Sequence, residues 1–254
     1  MIYFKYNTQA INIDNDGAYF MPDDMNFAEY LLENQIFSTE VNIINDLINS
    51  FGDTMKDKNF IDIGANVGTY SISLGKVFNK ISAFEPDKHI YNILCANIAL
   101  HNLSEKSELF NFPLSNTIKN INYVHLDTLG GGNYCYNCNE DNYLEKFYNN
   151  KISTNIKKSY PLDSLNINNV GLIKIDVEGF ELEVLQGAEQ TLINNNYPPL
   201  LLESWNPDPN NSNEVNDTII NLKENLFNYV SNLGYNIEQM IDIADDIFYC
   251  TKNI

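Results

Sequence analysis

Asp62-Ile-Gly-Ala-Asn-Val-Gly68 is the stretch that decides how this chain is read. Before its first glycine runs Asn59-Phe-Ile-Asp-Ile63, short, apolar and β-branched enough for a buried strand. After its second, Ile72, Leu74 and Val77 recur at helical spacing, so residues 69–78 read as a helix that Thr69 opens. Glycines between a strand and a helix let the backbone turn sharply and come close to a ligand. The helix beyond them presents N–H groups with no partner of their own. Such an end receives a carboxylate as readily as a phosphate.

Asp62, at the strand end, is placed to meet a ligand ammonium. A loop that can take both ends of an amino-acid zwitterion suits the methionine part of S-adenosylmethionine. The rival is the dinucleotide fingerprint, which needs three glycines at set spacing and has no acid before the first. Here Asn66 stands where its second glycine would be. A plain glycine turn is the other reading of these seven residues.

Working outward, Lys80-Ile-Ser-Ala-Phe84 reads as the next strand, and it ends on Glu85-Pro86-Asp87. An acid about 20 residues beyond the glycine loop is where nucleotide-binding α/β folds hold ribose hydroxyls. Pro86 and the residues after it could flank an adenine. Asp87 reads as the N-cap of a helix to Leu100. Further strands are expected at 107–112, 171–175, 199–203, 235–240 and 246–250, with helices over 180–193 and 215–233. Strands alternating with helices predict an α/β fold: a mostly parallel sheet covered on both faces, binding ligands at its carboxyl ends. Residues 1–50 are expected to form an accessory segment of short strands and helices, and 51–254 the main domain. Within it, about 117–160 breaks the alternation and reads as a hairpin with a lid-like loop.

Two more motifs come directly after strands. Lys174-Ile-Asp-Val-Glu-Gly-Phe-Glu181 places Asp176 and Glu178 just past a strand tip, where acids can bind a divalent cation or act as a base. Glu178 and Glu181 could equally serve the next helix dipole. Glu203-Ser-Trp205 ends an apolar strand, so Glu203 sits at a boundary that perturbs acidity. Trp205, the only Trp, either lines a pocket or packs in the core. His125 is a second candidate base, though a lone His is more often structural. Cys135 and Cys138 form a CxxC without the further ligands zinc requires, and read as reduced thiols in a loop.

Composition restricts the partners. All 15 basic residues are Lys, against 34 acids, for a net charge of −19. Phosphate backbones are normally met by Lys and Arg clusters, so a nucleic-acid substrate is disfavoured. The 42 Asn fit an AT-rich genome and are read as surface and turn residues. No apolar run reaches membrane-spanning length and no signal peptide is evident, so a soluble cytoplasmic protein is expected, in a host cell or virion if viral.

Phe60-Ile-Asp-Ile-Gly-Ala-Asn-Val-Gly-Thr-Tyr70, Phe84-Glu-Pro-Asp87, Pro113-Leu-Ser-Asn116, Pro161-Leu-Asp-Ser-Leu165, Lys174-Ile-Asp-Val-Glu-Gly179, Val184-Leu-Gln-Gly-Ala188 and Pro199-Leu-Leu-Leu-Glu203 occur in this order. Together the motifs resemble the FkbM-type methyltransferases across roughly residues 58–205. The resemblance implies a class I methyltransferase with a Rossmann-like, seven-stranded fold. It implies S-adenosylmethionine as cofactor and a hydroxyl acceptor on a sugar, glycan or glycosylated small molecule. A sugar hydroxyl is a poor nucleophile, so an assisting base or a divalent cation such as Mg or Mn is expected. The resemblance also implies that Asp62, Gly64, Asn66, Gly68 and Glu85 bind the cofactor, with Ser115 or Asn116 near its adenine; Thr69 and Pro86, next to these residues, are also expected in the cofactor site. Asp163, Asp176, Glu178 and Glu203 fall on the acceptor side, with Asp176, Glu203 and Glu178 the catalytic candidates. Pro113, where Ala is usual, and the Tyr- and Cys-rich stretch 125–150 depart from the pattern. An RNA ribose 2′-O-methyltransferase, a NAD oxidoreductase and an inactive protein on the same fold are the competing readings.

Overall fold

A computed structural model describes residues 8–13, 17–22, 49, 52–126, 132–139, 151–240 and 246–252. Asn49 apart, the helices expected over 26–50 lie outside the described residues. The chain forms two compact units. One holds the described residues up to Phe112, with Gly132 and Asn169–Gly171; the other holds the rest.

The first unit includes an antiparallel pair, β1 (Thr8–Ile13) and β2 (Gly17–Pro22). Its main strands are β3 (Asn59–Ile63), β4 (Lys80–Phe84) and β5 (Ser107–Phe110), parallel and in that order. Four of the five residues of β3 are buried, and four of the five in β4. That is the near-continuous apolar run of a strand covered on both faces. The helices α1 (Thr69–Gly75) and α2 (Lys88–Leu100) come after β3 and β4. α1 ends earlier than its apolar spacing suggests, at Gly75, where a Cβ would run into the Ile81 side chain of β4. Asp87 caps α2, accepting from the N–H groups of His89 at 2.7 Å and Ile90 at 3.1 Å. Such a cap contributes about 1 kcal/mol.

The second unit contains an antiparallel sheet, β6 (Lys119–Leu126), β7 (Tyr134–Asn137) and β8 (Lys151–Ser159), with β6 in the centre. The hairpin expected here is thus part of a three-stranded sheet. Cys135 lies buried in β7 and Cys138 is exposed beyond it. The parallel strands β9 (Val170–Ile175) and β10 (Leu200–Glu203) come next, with β11 (Asn236–Gln239) and β12 (Ile247–Thr251) completing that side: β12 is antiparallel to both β10 and β11. Strand pairing gives one mostly parallel seven-stranded sheet in the order β11-β12-β10-β9-β3-β4-β5. No helix among the described residues is long and apolar enough to cross a membrane.

The helix expected over 180–193 is two, α3 (Glu181–Gln186) and α4 (Glu189–Asn194), broken at Gly187. Asp163 forces the new start from afar. Its carboxylate accepts from the N–H groups of Gln190 at 3.1 Å and Thr191 at 2.7 Å, and from the Thr191 hydroxyl at 2.8 Å. Asp163, expected on the acceptor side, is therefore engaged as a helix cap. The last helix, α5 (Asn213–Asn232), is capped by the Ser212 hydroxyl on the Val215 N–H. At the break, Gly187 is pressed against backbone: a Cβ there would collide with the Ser115 carbonyl oxygen. Gly187→Ala should therefore destabilise the fold by about 2 kcal/mol or more through forced repacking. An unchanged urea midpoint would contradict this packing.

Candidate active site

The loop after β3 is built from left-handed backbone. Gly64, Asn66 and Gly68 have φ of 77°, 50° and 95°. Asn tolerates this region better than most side chains, which explains how it replaces a glycine. Gly68 also leaves no room: a Cβ would lie 2.6 Å from Leu94 of α2. The N–H groups of Gly64 and Ala65 donate to the Phe84 carbonyl at 3.0 and 2.9 Å, stitching the loop to the end of β4.

Glu85 completes that stitching. One oxygen accepts from the Asn66 N–H at 3.1 Å, the other from the Asp87 N–H at 2.7 Å. Each carboxylate oxygen has a second lone pair, so the group can still accept from ligand hydroxyls. Asn111, just past β5, holds the main chain behind it by donating to the carbonyls of Glu85 and Pro86 at 2.9 and 3.0 Å. Asp62 is fully buried and accepts from the Ser71 hydroxyl of α1 at 2.6 Å. Asn97 of α2, also fully buried, donates to the Val67 carbonyl at 2.8 Å. Asn97 had a signal in the sequence, since a polar residue on the buried stripe Ile90, Ile93, Leu94, Ile98 must find a hydrogen bond. Ser71 and Asn111 had none. Thr69 is buried at the first position of α1.

Ser115 and Asn116 belong to the second unit. The Ser115 hydroxyl is fully buried, 2.7 Å from the Ser159 hydroxyl and 2.8 Å from the Thr117 carbonyl it donates to. Asn116 donates to Gln186 at 3.3 Å. Ser115 thus ties to β8 of the small sheet and Asn116 to the end of α3. His125 lies on β6, in a different sheet from the strands that carry the acids.

Asp176, Glu178 and Glu203 do come together: one oxygen from each lies within 4.8 Å of the others. Asp176 and Glu178 stand just after β9, and Glu203 ends β10, its parallel neighbour. Glu178 has φ of 56° and Gly179 of 91°, a reversal that turns the chain into α3. Lys174, buried in β9, pairs with Asp176 at 2.8 Å. Burial opposes ionisation of Asp176, but Lys174 and a hydrogen bond from Glu203 outweigh it and hold the acid below its ordinary range. Glu203 is driven the other way, well above the usual carboxylate range, first by burial and then by Asp176, Glu178 and Asp246. A proton shared by the pair is therefore held by Glu203 rather than by Asp176. The loop rests on apolar support: Val177 packs against Ile121, Tyr123, Cys135 and Phe180, and Trp205 against Val124, Leu126 and Tyr134.

The profile of the Methyltransferase FkbM domain matches residues 62–237. The chain belongs to the FkbM methyltransferase family. Methyltransferase sdnD of Sordaria araneosa is 24% identical over 175 residues, which are 58% of this chain and 66% of that protein. The crystal structure of methyltransferase FkbM from Methylobacillus flagellatus is similar at a TM-score of 0.50 and 17% identity, over 77% of this chain and 44% of that one. A Staphylococcus aureus structure provisionally assigned as a caffeoyl-CoA O-methyltransferase also reaches 0.50, at 13% identity, over 91% of both chains. At these identities the structures show a shared fold, that of class I S-adenosylmethionine-dependent methyltransferases. This FkbM chain spans about two thirds of the fungal relative and under half of the M. flagellatus one.

Glu181 opens α3 and folds back to accept from the N–H groups of Val177 and Gly179, both at 3.1 Å. Burial pushes it from its ordinary 4.5 up to about 7, against those hydrogen bonds. An acid raised in this way binds its proton more tightly folded than unfolded. Its stabilisation is full below pH 4.5 and is lost as pH rises through about 7. Glu181→Gln keeps an oxygen for the two N–H groups and cannot ionise. Relative to the parent it should gain on the order of 3 kcal/mol by about pH 8 and nothing at about pH 4. Denaturation curves across that range check it; a pH-independent difference would contradict the burial of this charge.

Proposed function

We propose that the chain transfers a methyl group from S-adenosylmethionine to a hydroxyl of a small-molecule acceptor, on a sugar, glycan or glycosylated compound. The loop of Gly64, Asn66 and Gly68, clamped by Glu85, carries this reading. Its donor set fits the cofactor: a helix start for a carboxylate, and at Glu85 an acceptor for ribose hydroxyls. Asp62, Gly64, Asn66, Gly68, Thr69, Glu85 and Pro86 form the cofactor set. Ser115 and Asn116 are the weaker members, because both are already engaged in the second unit.

The cofactor supplies an electrophilic methyl group on sulfur. The chain must orient the acceptor oxygen in line with it and take the hydroxyl proton. Asp176 is ionised by Lys174 and is the proton acceptor. Glu203, which keeps its own proton, donates a hydrogen bond to Asp176 and holds it in place. Glu178 adds negative charge at the same point. A second reading uses the same three acids as ligands for Mg or Mn, favoured by their mutual approach within 4.8 Å. A cation there would polarise the acceptor hydroxyl and would have to displace the proton on Glu203.

Calorimetry should show S-adenosylmethionine and S-adenosylhomocysteine binding and NAD failing to bind, with the adenosyl affinity at least tenfold weaker in Glu85→Ala, the loss of about one charged hydrogen bond. Binding of NAD alone would overturn the cofactor assignment. With an acceptor from a hydroxyl-compound screen, Asp176→Ala should lower kcat about 100-fold or more while leaving the cofactor affinity unchanged. Full turnover in both Asp176→Ala and Glu203→Ala would remove these acids from the chemistry.

A further inference from the structure

Beside the acids the second unit holds an open cleft of roughly 480 Å³, bordered by the end of β10, by α3 and by α5. Trp205, Leu182, Ile219, Leu222 and Leu226 make its apolar lining. Trp205 packs against Val124, Leu126 and Tyr134 of the small sheet. Its ring also lies over Gly179, where a Cβ would be 3.4 Å from Cζ3. These contacts fix the indole as a wall of the cleft.

Two acids reach the cleft, Glu181 and Glu203, and neither offers it a counter-charge. Burial pushes Glu181 up to about 7, and its carboxyl already accepts from the Val177 and Gly179 N–H groups. Burial likewise drives Glu203 well above the usual carboxylate range, and it is hydrogen-bonded to Asp176. None of the lining residues is a Lys. Lys174 pairs with Asp176, and Lys223 of α5 is turned to the Asn206 side chain and the Phe248 ring. An ion of either sign would lose hydration here without gaining a partner, which apolar contact does not repay. An uncharged apolar group gains in proportion to the area it buries. Glu203 gives the cleft a direction, because it belongs both to the lining and to the cluster with Asp176 and Glu178. A ligand whose polar end meets Glu203 presents a hydroxyl to the acids and buries its carbon body against Trp205 and α5.

We propose that this cleft receives an uncharged apolar body carried by the methyl acceptor, with Trp205 and Leu222 as its walls and the reacting hydroxyl directed to the acids at Glu203. The proposal rests on the methyl-transfer reading for what the ligand is for, but not for whether it binds. The acceptor class narrows to a hydroxyl compound, or its short glycoside, that carries a carbon ring or chain. Free sugars and polymeric glycans, polar on every side, leave the apolar lining unused.

Trp205 is the only Trp, so its emission reports on one wall of the cleft. Methyl, butyl and hexyl β-D-glucoside, each below its aggregation concentration, and maltotetraose are titrated separately into the full chain, with and without S-adenosylhomocysteine. The expected result is a saturable change that tightens with chain length, the hexyl compound binding about tenfold or more tightly than the methyl one. Leu222→Gln keeps the reach of the side chain and removes its apolar character, so that preference should shrink toward parity. Asn225→Leu, at an exposed position of the same lining, should widen it. Equal affinity of the methyl and hexyl compounds in the parent protein overturns the proposal. So does the absence of any response to the hexyl compound, and so does maltotetraose binding more tightly than it, which would make the cleft a glycan site. A preference that neither variant changes overturns it too, by placing the apolar contact elsewhere. S-adenosylhomocysteine binding is measured by calorimetry in the same samples. Its failure would count against the cofactor reading and leave the glucoside comparison to stand by itself.

Discussion

The carboxylate of Glu85 holds two backbone N–H groups at once, Asn66 in the glycine loop and Asp87 at the start of α2. Much else in the first unit depends on this bridge. The loop has three left-handed residues in five, a shape with little intrinsic preference to persist. It is kept by contacts from every side: Phe84 accepts from Gly64 and Ala65, Asn97 holds Val67, and Leu94 closes on Gly68. Asp62 and Ser71 tie the strand before the loop to the helix after it. The result is a rigid frame whose shape is set before any ligand arrives, which lowers the ordering cost of binding.

The second unit organises charge in a different way. Three acids meet around one buried Lys. Lys174 can compensate only one of them fully, and the geometry gives it to Asp176. Glu203 then keeps a proton because two adjacent buried carboxylates cannot both ionise cheaply. Two acids of like chemistry are thus separated into an acceptor and a donor by their positions. Glu181, close behind, is raised mainly by burial and supports the turn that presents Glu178. The small antiparallel sheet backs this turn through Val177 and Trp205.

The parallel strands were legible from their apolar runs, and four of them, β3, β4, β9 and β10, fall within a residue of their expected ends. The glycine loop and the acids after strands were legible too, because their chemistry and spacing are local. The parts that were not legible depend on partners far along the chain. The break at Gly187 comes from the Ser115 carbonyl and the Asp163 cap, neither of which changes the apolar spacing of 180–193. The small sheet was hidden because its strands carry Asn, Lys and Tyr rather than a clean alternation. The inward engagement of Ser115 with Ser159 spans 44 positions. The division of labour between Asp176 and Glu203 needed the position of Lys174, which a motif names but does not orient.

The most direct test of the account is a crystal structure of the protein with S-adenosylhomocysteine. It should place the ribose hydroxyls within hydrogen-bonding distance of the Glu85 carboxylate and the amino-acid portion against residues 64–68. Ligand density elsewhere, or a Glu85 carboxylate that touches no part of the nucleoside, would contradict it.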